Sequence, residues 1–433
     1  DEYLSRPRFL AISEFGPRAI VYHEGSRYVI NQVELPVGDG ELEATRAKIC
    51  QRCGYLHPVP ENDTLNLCER CNASLNTPLT SLFRISEVST RRRDRISADE
   101  EERMRLGYEI VTSLRFNERD GRPLYHTSEI KADDKPVGHL YYGQAATIWR
   151  INLGWTRRAN RELQGFPLDI ERGYWQRNEQ IEEAEQEDPI SPRIRRVIPY
   201  VEDTRNCLLF EPSDPLPADV MASLQAALKN AIQVRYQLED NEIAAEPLPS
   251  ADDRRSLLLY ESAEGGAGVL RRLLDDMGAL AEVAEEALRL CHYDPETGED
   301  LNHAPRAKER CEAACYDCLM SYYNQREHDL LNRHIVVEWL QTLRRAEVIT
   351  APVAAPRAAH LAELLRQCDS ELERRWLRRL DARGHRLPTG AQVYIEACQT
   401  KPDFVYEEHH TVIYIDGPHH DFPDRHARDR QQA

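Results

Sequence analysis

The chain has 433 residues, 41% of them hydrophobic and 30% charged, and a formal net charge of -18. That length exceeds one ordinary core and predicts about two to four domains, and the composition is that of a soluble globular protein rather than a disordered or membrane one. No apolar run approaches the roughly 18 residues that cross a bilayer, and the acidic balance excludes a surface that grips nucleic acid everywhere, because phosphate contacts come from Lys and Arg.

The opening "DEYLSRPRFL" has no initiator Met, basic n-region or apolar h-region. It is not a signal peptide, and the chain reads as an internal or C-terminal piece of a longer cytoplasmic protein without a membrane partner. Residues 1–45 alternate apolar and polar around an "EGS" turn and predict a small β unit.

Residues 46–80 carry two CxxC pairs, Cys50/Cys53 and Cys68/Cys71. Two such knuckles at this separation can wrap four thiolates tetrahedrally around one Zn²⁺. The following "GYLH" and "NASL" supply the Gly and Asn that the knuckle turns favour.

Residues 81–240 form a mixed α/β linking region, in which "LYYGQAATIWRINLG" is extended and "DVMASLQAALKNAIQVRYQL" is a helix with an apolar stripe. Local basic clusters at 89–95, 156–161, 191–196 and 373–379 read as solvated faces, with a basic groove on an acidic protein as the alternative.

Residues 241–345 hold the other cysteine group. Cys311, Cys315 and Cys318 are three soft ligands at CxxxCxxC spacing, and a structural zinc site needs a fourth. Cys291, His292, His303 and His328 are the candidates. Cys291 is preferred because it ends an amphipathic helix, and the loop after it can fold back over a metal. Cys207, Cys368 and Cys398 read as packed thiols. The "GGAG" run between a strand, "RRSLLLYE", and a helix, "VLRRLLDDM", either approaches a phosphate or forms a tight turn. Tyr322, Tyr323, Asn324 and Gln325 either contact single-stranded bases or buttress the cysteine loop.

An Ala/Pro-rich linker over 346–360 leads to a terminal segment, 361–433. Its helix places Leu372, Trp376 and Leu380 on one face, with Glu373 bordering that stripe and Glu371 among exposed arginines. In "KPDFVYEEHHTVIYIDGPHHD" two extended runs pair as a hairpin centred between Glu408 and His409, so Asp403 falls opposite Tyr414 and Asp416 is its diagonal neighbour. Glu373, Asp403 and Asp416, joined by His419 or His420, would converge on a divalent cation, Mg²⁺ or Mn²⁺, whose hard oxygen preference they suit.

Two resemblances attach to these residues. "YESAEGGAGVLRRL" with "CYDCLMSYYNQREHDLLNRHIVVEWL" resembles the zinc-binding domain of MrfA-type DEAD/DEAH-box helicases, and "FGPRAIVYHEGSRYVI", "RISADEEERMRLGYEI" and "INLGW" resemble the linking region of long bacterial helicases, including those of the Druantia and DISARM anti-phage systems. The resemblance implies one zinc on Cys291, Cys311, Cys315 and Cys318. No GxxxxGK[ST] and no DEAD/DEAH box occurs here, so the motor lobes would lie elsewhere in the same protein or in a partner chain. The terminal segment resembles the PD-(D/E)xK nucleases, especially relatives of the very-short-patch repair endonuclease, which implies metal and proton-transfer roles for Glu373, Asp403 and His419 or His420. The usual acidic-x-Lys reads "YID" here, with the Ile415 carbonyl in the implied metal position, and the segment stops at "RHARDRQQA", an incomplete domain.

The predicted fold class is α+β multidomain: a small β unit, a zinc knuckle, a mixed α/β zinc-binding domain and a partial restriction-endonuclease-like α/β domain. The predicted role is the accessory, DNA-binding C-terminal region of a bacterial helicase in anti-phage defence or repair. Its partners would be single-stranded or unwinding duplex DNA and defence-system proteins. The alternative is a non-catalytic, zinc-stabilised platform for partner proteins.

Overall fold

The computed structural model describes residues 3–35, 44–95, 107–119, 122–181, 193–262, 266–305, 307–350, 357–395, 400–406 and 411–415. It divides into two compact units, Asp1–Ala351 and Pro352–Ala433. Among the described residues no helix is long and apolar enough to cross a membrane.

The first unit begins with α1 (Arg8–Glu14), β1 (Ile20–His23) and β2 (Ser26–Val33). Glu24 and Gly25 take φ of 45° and 70°, the left-handed pair that matches the twist of a two-residue hairpin, and His23 faces Ser26 across it. Then come β3 (Thr45–Ile49), β4 (Leu56–Pro58), β5 (Leu79–Arg84), β6 (Val88–Arg95), β7 (Tyr108–Arg115), the short pair β8 (Glu118–Arg119) and β9 (Arg122–Pro123), β10 (His126–Ala132), β11 (Lys135–Trp155), β12 (Phe166–Asp169) and β13 (Ile194–Pro212). The remainder is α2 (Ala218–Tyr236), β14 (Ile243–Pro249), β15 (Arg254–Glu261), α3 (Val269–Asp275), α4 (Ala279–Leu290), a 3₁₀ turn (Gln325–Leu330), α5 (Arg333–Arg344) and β16 (Ala346–Thr350).

β1, β2 and β6 form a three-stranded sheet, while an eleven-stranded sheet runs β16-β10-β11-β13-β5-β3-β4, with β7 on β11, β12 and β15 on β13, and β14 on β15. The segments 46–80, 81–240 and 241–345 each contribute strands to this sheet. Residues 346–350, expected as the head of the linker, pair instead with β10, from Ala132↔Ala346 to Ser128↔Thr350. Burial of Ala346 and Val348 under the helices holds that edge strand in place.

One irregularity organises the sheet. β11 and β13 pair antiparallel, and their register slips by one residue between Gly143 and Ala146. A one-residue slip moves every later side chain to the other face. Before the bulge Leu140 and Tyr142 join Leu208, Phe210, Leu257 and Leu259 in the core beneath α2, α4 and α5. After it Ala146 and Ile148 join Cys207, Leu209, Leu258 and Tyr260 on the opposite face. Cys291, Cys311 and Cys318 belong to the first core, and Cys50, Cys53 and Cys68 to the second.

The second unit comprises α6 (Arg357–Gln367), α7 (Glu371–Ala382) and a sheet of β17 (Gly390–Ala391), β18 (Phe404–Tyr406) and β19 (Thr411–Ile413). Phe404↔Ile413, Val405↔Val412 and Tyr406↔Thr411 give the register expected for a hairpin centred between Glu408 and His409. Trp376 stacks on Phe404 at 4.7 Å over a core of Leu364, Cys368, Leu377 and Leu387. Leu372 departs from expectation: it is 39% exposed, and Leu377 takes the centre of the inward stripe. Each four-residue step on a helix drifts by about 40°, which carries the first member of such a series off the face.

Candidate metal centres and carboxylate pair

The first knuckle follows β3. The Gly54 N–H donates to the Cys50 carbonyl (2.9 Å) and the Cys50 N–H to the Tyr55 carbonyl (3.0 Å), a turn closed by Gly54 at φ 72°. The second knuckle repeats the pattern with Asn72 at φ 56°, its N–H donating to the Cys68 carbonyl (2.9 Å). These are the Gly and Asn that the sequence singled out. The two turns bring the four thiols within 4.8 Å of one another, with Cys50 and Cys71 sulfurs 3.5 Å apart and Cys53 and Cys68 sulfurs 3.7 Å apart. Hydrogen bonds from Cys53, Cys68 and Cys71 push the Cys50 thiol below its ordinary pKa.

A residue that sequence reasoning passed over stands behind this group. His57 is 1% exposed in β4, with Nε2 3.4 Å from the Cys68 sulfur and Nδ1 3.3 Å from a Glu69 carboxylate oxygen. His57, then the Arg115 charge working against burial, lowers the Glu69 pKa to about 2. A carboxylate orienting an imidazole against a ligand sulfur is the outer layer that metal ligands commonly have. Its only sequence signal is a His four residues after Cys53. Arg70, inside the second knuckle, ties it to β13 through a two-pronged contact with Glu211 at 3.0 and 2.8 Å.

At the second group the clustered atoms include a histidine. His292, Cys311, Cys315 and Cys318 have ligand atoms within 4.8 Å of one another, and His292 Nε2 lies 3.3 Å from the Cys315 sulfur. Cys291 is not in that group. It caps α4 at φ -76° and is fully buried in the helical core, where burial pushes its thiol up to about 12. The next residue turns to φ 64°, which swings the imidazole out of the helix line towards the thiols. Burial, followed by the Arg333 charge, holds His292 below its ordinary pKa, in the neutral form that a metal ligand needs. His303 and His328 are engaged elsewhere, His303 with the Ala304 carbonyl and His328 with the Ser321 carbonyl and Asn324 Oδ1. His292→Ala is expected to remove one equivalent of metal from the purified chain while Cys291→Ala retains both. The reverse result in metal analysis returns Cys291 to the ligand set.

The "GGAG" run takes the tight-turn reading. α3 has only seven residues, and its amide at Leu270 donates to Glu261 Oε1 at 3.1 Å. A Cβ at Gly266 would sit 2.0 Å from Glu261 Oε2. The anion at this helix start is the chain's own carboxylate, 1% exposed. The loop after Cys318 divides the two roles considered for it. Asn324 accepts from the Ser321 N–H (2.7 Å) and donates to the Leu319 carbonyl (2.9 Å), a buttress. Tyr322 and Tyr323 are 76% and 69% exposed, with Tyr316 at 68% beside Cys315.

In the second unit Glu373 and Asp403 converge. Ser370 caps α7, and the Glu373 carboxylate reaches back to the Asp369 N–H (3.0 Å) and the Ser370 hydroxyl, a capping box that accounts for part of its burial. Gln392, which sequence reasoning missed, joins the two acids: its Nε2 donates to Glu373 Oε2 at 3.1 Å and to Asp403 Oδ1 at 3.0 Å. The Ile415 N–H donates to Asp403 Oδ2 at 2.6 Å. Glu371 lies on the other side of α7 with Arg378, as expected. Asp416, His419, His420 and Cys398 lie outside the described residues.

Residues 224–319 match the family model of the MrfA Zn-binding domain, a span that contains Cys291, His292 and the three cysteines after them but neither the first knuckles nor the second unit. Among solved structures the chain is similar to "Crystal Structure of DUF1998 helicase MrfA bound to DNA", at 12% identity and a TM-score of 0.34, covering 78% of this chain and 31% of that one. The chain thus spans about a third of that helicase's length. No curated protein matches.

Proposed function

We propose that this chain is a DNA-binding, helicase-associated region whose first unit is held by two structural zinc sites. The match of residues 224–319 to the MrfA Zn-binding domain carries the reading. Cys50, Cys53, Cys68 and Cys71 would hold one ion, and Cys311, Cys315 and Cys318 with His292 or Cys291 the other, since soft thiolates and a neutral imidazole suit Zn²⁺. Bound zinc supplies tetrahedral cross-linking of the knuckles rather than chemistry. The motor lobes would lie outside this chain, in a bacterial helicase of anti-phage defence or repair.

Tyr316, Tyr322 and Tyr323 present exposed rings beside the second site, and every base has a face on which such rings stack. Alanine substitution of Tyr322 and Tyr323 together is expected to weaken binding of an oligothymidylate by about thirtyfold or more, since stacking contributes about 1–3 kcal/mol per base and about 1.4 kcal/mol is tenfold. Zinc content should stay at the parental value. Parental affinity in that variant removes the tyrosines from the contact. A chain that binds no DNA at any salt concentration, yet binds a partner protein, supports the platform reading instead.

The second unit carries a metal-dependent nuclease site within the same proposal. Glu373 and Asp403 would hold Mg²⁺ or Mn²⁺, with Asp416 and His419 or His420 completing the set. A bound divalent cation polarises a phosphodiester and lowers the pKa of its water. Gln392 holds the two carboxylates towards a common point, and the Ile415 amide fixes the Asp403 rotamer. Asp403→Ala is expected to abolish cation-dependent DNA cleavage with zinc content unchanged, and Glu371→Ala to cut at the parental rate. A parent that cleaves DNA with neither cation makes this unit a DNA- or partner-binding remnant.

A further inference from the structure

A cavity of about 350 Å³ lies away from both cysteine groups, between the end of β11, the loop at 156–165, β12 and β13. Its lining includes Arg18, Arg158, Arg177 and Arg196, with Trp155 and Phe166 as an apolar wall. In a chain of net charge -18, four guanidiniums around one cavity are not a by-product of overall basicity. The acid in the lining is Glu179.

The four arginines differ in what satisfies them. Arg158 is neutralised by Glu109 at 2.7 Å. Arg196 is not paired with any carboxylate among the described residues: Nη1 donates to the Gly165 carbonyl at 3.2 Å and Nη2 to Asn178 Oδ1 at 2.8 Å, both neutral acceptors. Gly165 keeps that carbonyl in place at φ 81°, where a Cβ would stand 2.3 Å from the Val197 carbonyl oxygen. Arg196 is thus rigidly aimed and half-buried without a carboxylate partner among the described residues, and burial lowers its pKa. Arg18 and Arg177 are exposed at the rim and also lack an ion pair among the described residues. A desolvated guanidinium without an acid is costly, and a bound phosphate relieves that cost by accepting from the guanidinium's planar fork of donors.

From this geometry we infer that the cavity binds the phosphate group of a nucleotide, carried by a nucleic-acid strand or free, with Arg196 as the fixed anchor and Arg18 and Arg177 closing on the same oxygens. The lining shares no residue with the tyrosines or the carboxylate pair, and the inference does not depend on either. Titration of the full chain with an oligothymidylate and, separately, with thymidine monophosphate tests it. Arg196→Gln should weaken binding of the phosphate-bearing ligand about tenfold and lower the salt slope of oligonucleotide binding by about one, the signature of one lost phosphate contact. Arg157→Ala, outside the lining, should leave affinity and slope at the parental values. Loss confined to the oligonucleotide identifies a backbone phosphate, whereas loss with the monophosphate identifies a terminal or free one. Should Arg196→Gln fail to fold, the rim double variant Arg18→Ala/Arg177→Ala carries the same expectation. Parental affinity for both ligands in a folded Arg196→Gln or rim variant, or no binding of either ligand by the parent, overturns the inference.

Discussion

Removing zinc with a strong chelator is expected to abolish the cooperative unfolding transition of the first unit and to release two equivalents of metal. Both cysteine groups are built into hydrophobic cores rather than hung on loops: Cys50, Cys53 and Cys68 pack with Leu114, Phe116 and Tyr260, and Cys311 and Cys318 with Leu288, Leu319 and Leu340. A structural zinc contributes about 10–16 kcal/mol in small domains, as much as the whole net stability of a domain, about 5–15 kcal/mol. Without the ion, sulfurs 3.5 and 3.7 Å apart, three of the four buried, remain crowded with nothing to share their charge. Acid should have the same effect, because the ligands must be deprotonated to bind. Cys68→Ser should reproduce the loss at one site. Cys207→Ser should cost only about 1–3 kcal/mol, since that thiol is a packed group raised to about 12 by burial and belongs to neither set. Calorimetry with metal analysis reads both arms, and a zinc-free chain melting at the parental temperature defeats the structural role.

Arg333→Ala is expected to destabilise the first unit by about 1.5–3 kcal/mol, the usual contribution of hydrogen bonds to a charged group, since its partner Asp300 keeps 29% of its side chain exposed. Arg333 is 1% exposed at the start of α5. Its Nε donates to the Cys311 carbonyl (3.1 Å), Nη1 to the Cys291 carbonyl (3.3 Å) and to Asp300 Oδ1 (2.6 Å), and Nη2 to Asp300 Oδ2 (2.9 Å). The guanidinium also lies 5.1 Å from the centre of the Tyr293 ring. One side chain thus stitches both backbone segments of the second metal group to the loop between them. Arg333→Lys should recover little, because an ammonium cannot span those acceptors. Hydrogen bonding from Arg333 holds the Asp300 pKa below its ordinary value. A depressed carboxylate stabilises the fold above its unfolded pKa and loses that contribution as pH falls through the folded one. The deficit of Arg333→Ala should therefore be largest near neutral pH and shrink in acid. Denaturant unfolding from neutral pH down to the point where the metal is released measures it, and a loss under about 1 kcal/mol at neutral pH would show that the network is dispensable.

The pieces legible in the sequence are those set by a few adjacent residues. CxxC spacing with a Gly or Asn after it dictates a knuckle, because the turn needs a left-handed residue at that place, and Gly54 and Asn72 supply it. Alternation around "EEHH" dictated the hairpin register, since period-two burial admits one pairing. The helices from Ala218 and Ala279 followed from their apolar stripes.

Tertiary structure decided what depends on distant partners. The two cysteine groups pack on opposite faces of one sheet, against alternate residues of β13 and β15, and a bulge between Gly143 and Ala146, which no local pattern announces, moves Ala146 and Ile148 of β11 to the second of those faces. Glu261 fills the helix start that "GGAG" left open to a phosphate, nine residues before the amide it accepts from. Gln392 reaches Glu373 across nineteen residues and Asp403 across eleven. His292 rather than Cys291 faces the other thiols after the backbone turns to φ 64° beyond α4, and Arg333, forty-two residues away, donates to the Cys291 carbonyl there. Spacing limits which residues can meet, whereas the direction in which each side chain points is settled by packing against elements far along the chain.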